Sequence, residues 1–157
     1  MVRRTIKKGF TLVEILIVVI ILGILAAIVI PQFTNASQDA RRSNMISQLQ
    51  TLKSQIALYK LQHNDNPPTS AALFWTELTG TTTAARATPG VANDSYGPYF
   101  PEALKNPLVS AALASTVIDG SALAVGDAAA AGWVYTATTG EVRGVNENGR
   151  VANSDGR

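Results

Sequence analysis

The chain has 157 residues, 46% of them apolar, a formal charge of +2 and no cysteine. That length holds one modest domain plus an appendage rather than two full domains. The lack of cysteine excludes a disulfide framework and any thiolate metal centre. Arg3, Arg4, Lys7 and Lys8 are four of the thirteen basic residues; the other nine face eleven acidic ones, so residues 10–157 carry −2 and offer no nucleic-acid-binding charge.

From Phe10 to Ile30 the only residues that are not apolar are Thr11, Glu14 and Gly23. A helix of about 20 such residues crosses a bilayer core. The four basic residues ahead of it stay on the cytoplasmic side, which sends residues 32–157 across. A secretory signal peptide has a shorter apolar stretch followed by a small-x-small cleavage site; here apolar sequence resumes beyond Ala26-Ala27. A plain single-pass anchor accounts for length and flanking charge but leaves Glu14 unexplained. One reading has Glu14 snorkel to the headgroup level. The other gives it a cation when the segment leaves lipid, since a charge in the bilayer interior is costly.

Lys8-Gly9-Phe10-Thr11-Leu12-Val13-Glu14 with the uncharged run behind it resembles the class III leader of type IV pilins and type II secretion pseudopilins. The resemblance covers about the first fifth of the chain. It implies cleavage between Gly9 and Phe10 by a membrane prepilin peptidase, and N-methylation of Phe10. Phe10 then has a free amine four residues from Glu14, on the same helix face, so the carboxylate can pair with that terminus in its own chain or in a neighbour. The resemblance also implies that helix is lost between Gly23 and Pro31 in an assembled filament. Pro31 removes a donor and crowds the carbonyl of Ala27, and Gly23 lowers helix propensity. Glu14, Gly23 and Pro31 are therefore the expected assembly residues.

Residues 33–63 contain no glycine or proline. Met45, Leu49, Leu52, Ile56 and Tyr59 recur at helical spacing and predict one narrow apolar stripe. The Asn64-Asp65-Asn66-Pro67-Pro68 run stops the helix near His63, and His63 itself is read as a solvated helix-end residue. Arg41 and Arg42 read as a solvated face or as partners for carboxylates on other subunits.

In the head, Ser70 to Leu78 predicts a short helix with Leu73, Phe74, Trp75 and Leu78 inward and Gly80 as its stop. Residues 81–98 read as a long loop, functional or variable. Trp133–Thr136 and Glu141–Val145 flank Ala137-Thr138-Thr139-Gly140 as a hairpin. Ser115–Ile118 is a weaker third strand, and 146–157 is expected to fray. Tyr96-Gly97-Pro98-Tyr99-Phe100-Pro101, Asn106-Pro107-Leu108 and Gly132-Trp133-Val134-Tyr135 look most like the major pseudopilin of type II secretion. Some members of that subclass bind calcium. Asp119 and Asp127 are the candidates here, with Asp94 more distant, but they lack a calcium-loop spacing and read better as loop caps.

The single histidine cannot anchor a metal cluster, and there is no phosphate loop or nucleophile elbow. Asn35-Ala36-Ser37 and Asn93-Asp94-Ser95 match the glycosylation sequon, a pattern common by chance.

The expected protein is α+β: one long N-terminal helix, membrane-spanning in its first half and amphipathic in its second, on a small antiparallel sheet. Its parts are a leader (1–9), a transmembrane and assembly segment (10–31), an amphipathic helix (32–63) and a head (64–157). The resemblance implies a non-enzymatic subunit of a pseudopilus or pilus-like homo-oligomeric filament. It would sit in the bacterial inner membrane with its head periplasmic, be processed by prepilin peptidase and be assembled by a membrane platform and ATPase. The rival is an anchored binding module that never polymerises. No cofactor or nucleic acid is indicated.

Overall fold

The computed structural model describes residues 9–83 and 96–153. The chain divides into two compact units, Met1–Asp39 and Ala40–Arg157. Helix α1, Leu12–Gln62, supplies the first unit and opens the second. Its helical backbone runs without a break through 23–31.

In the first unit the apolar side chains of α1 are exposed. Ile15, Ile20, Leu25 and Ile30 are each at least half exposed. The helix is long and apolar enough to cross a membrane, with a mean hydropathy of 3.3 over its most apolar window.

In the second unit the expected stripe is the core. Met45, Leu49, Leu52, Ile56 and Tyr59 are all buried and pack with Trp133, Tyr135 and Val142 of the sheet and with Phe74, Leu78 and Phe100. Burying each large apolar side chain contributes about 1.5–3 kcal/mol, so this seam holds helix and sheet together. Helix α2 spans Phe74–Thr79, shorter than the predicted Ser70–Leu78. Leu73 is nearly half exposed, and the buried set is Phe74, Glu77 and Leu78. Gly80 ends α2 in an extended conformation.

The sheet has the order β1 (Val117–Asp119), β2 (Trp133–Thr136), β3 (Glu141–Gly144). β2 and β3 form the predicted antiparallel hairpin, Thr136 opposite Glu141, with Gly140 at φ +73 closing the turn. β1 corrects the expectation of an all-antiparallel sheet: it pairs parallel with β2, Val117 opposite Trp133. The reason is the length of residues 120–132, since a parallel pair needs a crossover of about a dozen residues. Gly132 lets this return close. A Cβ there would lie 2.2 Å from the Ala114 carbonyl oxygen.

The C-terminal stretch is also a correction. Val151 and Ala152 are buried, and Val145 bridges Val151. The Asn146 side chain accepts from the amides of Asn148 and Arg150, both at 3.1 Å, and Gly149 takes φ +68. The polar run 146–149 is a tight turn that returns two apolar residues to the core.

Candidate functional site

The N-terminal end of α1 is built by four residues. Gly9 and Phe10 precede the helix, and Phe10 is 84% exposed. A Cβ on Gly9 would meet nothing within 4 Å. Thr11 is the N-cap. Its hydroxyl accepts from the Glu14 amide at 3.2 Å, and Glu14 Oε2 accepts from the Thr11 amide and hydroxyl, both at 2.8 Å. This reciprocal pairing is a capping box, which satisfies two orphan donors of the first turn. The sequence reading tied Glu14 to an amine at Phe10 and missed this bond, although Thr-x-x-Glu before an apolar run is its signature. Oε2 takes both contacts. Glu14 Oε1, exposed, is left to accept a cation while the cap persists.

Further along, Gly23 lies inside α1 with open space around it. Pro31 lies within the helical span, and the Thr34 hydroxyl donates to the Ile30 carbonyl at 3.2 Å beside it.

The head contains a second polar group that the sequence reading misplaced. His63 is fully buried, not solvated. Its ring stacks on Tyr59 at 3.9 Å, Nδ1 lies 2.7 Å from the Tyr59 carbonyl and Nε2 lies 2.9 Å from the Thr82 hydroxyl. A carbonyl only accepts, so Nδ1 carries the proton in that bond. Thr82 is paired through its backbone with Tyr96. Residues 84–95, including Asn93 and Asp94, lie outside the described residues.

Asn106 is the other buried hub. Its amide donates to the carbonyls of Gly132 at 2.8 Å and Val145 at 2.7 Å, and its oxygen accepts from the Leu108 amide at 2.9 Å. Burial raises the pKa of the Tyr99 phenol, against a lowering contact with the Thr82 hydroxyl; Tyr99 donates to Gln62 Oε1 at 2.6 Å.

The calcium candidates each close a turn. Asp119 accepts from the Ser121 amide and hydroxyl, both at 3.0 Å, and Asp127 accepts from the Ala124 amide at 2.7 Å. Among the described residues no three His, Asp or Glu side chains cluster as metal ligands.

Comparison with known proteins bears on the first of these places. The family model described as the prokaryotic N-terminal methylation motif matches residues 4–30. This chain carries the N-terminal methylation motif. It is homologous to type II secretion core protein G and to type IV pilins. It is 39% identical over 67 residues to the type II secretion system core protein G of Pectobacterium carotovorum, an alignment covering 43% of each chain. It is 38% identical over 71 residues to the protein of that name from Klebsiella michiganensis, covering 45% of this chain and 50% of the relative. Against the type IV major pilin protein PilE1 of Neisseria gonorrhoeae it is 34% identical over 117 residues, covering 74% of this chain and 63% of the relative. The chain thus spans about half the length of the core protein G relatives it matches. No solved structure matches.

Proposed function

We propose that this chain is the precursor of a structural, non-catalytic filament subunit of the pseudopilus and pilus kind. Prepilin peptidase cuts it between Gly9 and Phe10 and methylates the Phe10 amine. The subunit waits in the bacterial inner membrane with residues 10–31 spanning the bilayer and the head in the periplasm. An assembly platform and its ATPase then move it into a homo-oligomeric fibre. The head motifs at 96–101 and 106–108 favour a secretion pseudopilus.

The observation that carries this reading is the half-exposed apolar surface of α1 from Ile15 to Ile30, which falls within the methylation motif matched over residues 4–30. Such a surface needs lipid before assembly and other copies of the same helix after it. Passage through water would expose its fifteen apolar side chains at about 25 cal/mol per Å², so transfer goes from lipid to a protein core. Glu14, at the head of that surface, is the one charged residue between Phe10 and Pro31. Its open oxygen takes the methylated amine of Phe10 from a neighbouring copy, which offsets the cost of placing charge there. Gly23 and Pro31 mark where helix gives way in the fibre. Asp119 and Asp127 remain turn caps, with no cofactor.

The test is to produce the chain with the peptidase and assembly machinery and to examine the sheared fraction by electron microscopy and intact mass. Fibres built from chains starting at methylated Phe10 support the reading. A processed, membrane-bound chain that never forms fibres favours the anchored binding module.

A further inference from the structure

Ten of the fourteen charged side chains described in the head have a partner inside their own chain. Arg42 pairs with Glu147 at 2.7 Å, Lys60 with Asp65 at 3.3 Å and Arg143 with Glu141 at 3.7 Å. Glu77, Asp119 and Asp127 accept hydrogen bonds, and Arg150 donates to the Gly126 carbonyl. Among the described residues of Ala40–Arg157, the exceptions are three exposed cations, Arg41, Lys53 and Lys105, and a single exposed anion, Glu102.

Glu102 stands on a fixed base. Just before it, Phe100 is buried and its amide donates to the Leu78 carbonyl at 3.0 Å. Just after it, the Leu104 carbonyl accepts from the Trp133 indole at 3.1 Å. The same corner holds α2, whose Trp75 indole donates to the Ser115 carbonyl at 2.6 Å where the chain enters β1. Glu102, exposed, therefore lies near the end of the sheet where β1 and β2 begin. Lys53 lies beside β3. Two recesses flank it: one of about 190 Å³ between Leu49, Val125 and Arg143, and one of about 250 Å³ between Ile56, Lys60 and Gly140; Glu141, which lines both, is paired with Arg143, and Lys53 and Lys60 leave each recess with a cation to spare. Lys105 shares the Glu102 segment and so lies on the same side as the anion. Arg41 lines neither recess.

We infer that Glu102 of one copy docks beside Lys53 of the next, so that the Glu102 corner of one head enters the recesses beside β3 of its neighbour. The occupant is a second copy of this chain, and the inference rests on the filament reading above. Two different surfaces make a heterologous contact, which propagates into an open fibre instead of closing a two-fold dimer. One exposed ion pair contributes little, but a fibre repeats it at each subunit, and the seating of the corner fixes register as well as charge.

The cysteine-free chain allows a direct test. Lys53→Cys and Glu102→Cys are introduced singly and together into the full chain, produced with its assembly machinery and oxidised. The double variant is expected to give a ladder of disulfide-linked oligomers, and each single variant no species beyond a dimer. In a parallel series, Lys53→Glu or Glu102→Lys alone is expected to lower fibre yield several-fold, and the two together to restore it. Wild-type fibres present but no ladder, or single reversals at full yield, overturn this contact and leave the filament reading intact. Absence of wild-type fibres removes both.

Discussion

The hydroxyl of Tyr59 on α1 donates to the Glu77 carboxylate on α2 at 2.7 Å, and both side chains are buried. Glu77 Oε2 also accepts from the Thr69 amide at 3.0 Å. The pair ties the end of the long helix to the segment that turns back on it. Tyr59→Phe keeps the ring and its stacking on His63 but removes the donor. A buried acceptor that loses a partner costs about 1–3 kcal/mol, more when it is charged. The variant is expected to unfold at lower denaturant by that amount in detergent solution, and an unchanged midpoint with an unchanged slope would remove this assignment.

Gly132 is expected to resist substitution. Its Cβ would fall 2.2 Å from the Ala114 oxygen and 2.8 Å from the Leu113 oxygen, both backbone atoms that cannot swing away. Gly132→Ala should therefore cost at least about 1–3 kcal/mol, the range for overpacking, and should loosen β1 from β2 first. Amide exchange of Trp133, which bonds the Thr116 carbonyl at 3.0 Å, is the readout. Equal exchange in both proteins would contradict it.

Much of this head was legible in the sequence, and the misses have definite causes. Met45, Leu49, Leu52, Ile56 and Tyr59 read correctly because a buried helix face leaves its period in the chain. The hairpin read correctly because Gly140 supplies the left-handed turn. β1 was placed only roughly and its direction was missed, since direction depends on a crossover whose path no local pattern records. His63 read as solvated because a polar residue at a helix end usually is; its burial depends on Thr82, nineteen residues away, and on the Tyr59 ring. Asn146 to Gly149 is turn chemistry, not fraying, and the two apolar residues after it were the available signal. At the N-terminus the cap was written in Thr11 and Glu14 and was passed over in favour of a more distant partner.

Acid is expected to weaken the contact between α1 and the C-terminal turn. The Glu147 carboxyl is held below the ordinary glutamate value, first by its own backbone amide, against the opposing effect of burial, and then by the hydrogen bond and charge of the Arg42 guanidinium. A depressed pKa means that the contribution is present in full above the unfolded value, about 4.3, and is lost as pH falls through the lower folded value. The pair is partly exposed, 23% for Arg42 and 37% for Glu147, so the effect is small and reduced by salt. The stability difference between wild type and Glu147→Gln should shrink between pH 6 and pH 3. A difference that stays constant over that interval would contradict the pairing.

Glu14→Ala separates anchoring from assembly. It removes the capping box, at about 0.5–2 kcal/mol for the helix end, and the carboxylate that meets a neighbour's amine. Processing at Gly9 should continue, since Gly9 and Phe10 lie outside the helix, while fibre yield falls sharply. Wild-type fibre yield from this variant would eliminate the pairing role of Glu14.

The central claim is that Gly9 and Phe10 mark a processing junction ahead of an assembly helix. Intact-mass measurement of the membrane-extracted or fibre-bound chain tests it most directly. The account predicts a single species beginning at Phe10 and carrying one additional methyl group. A chain that retains Met1, or one that begins at any other residue, would contradict it.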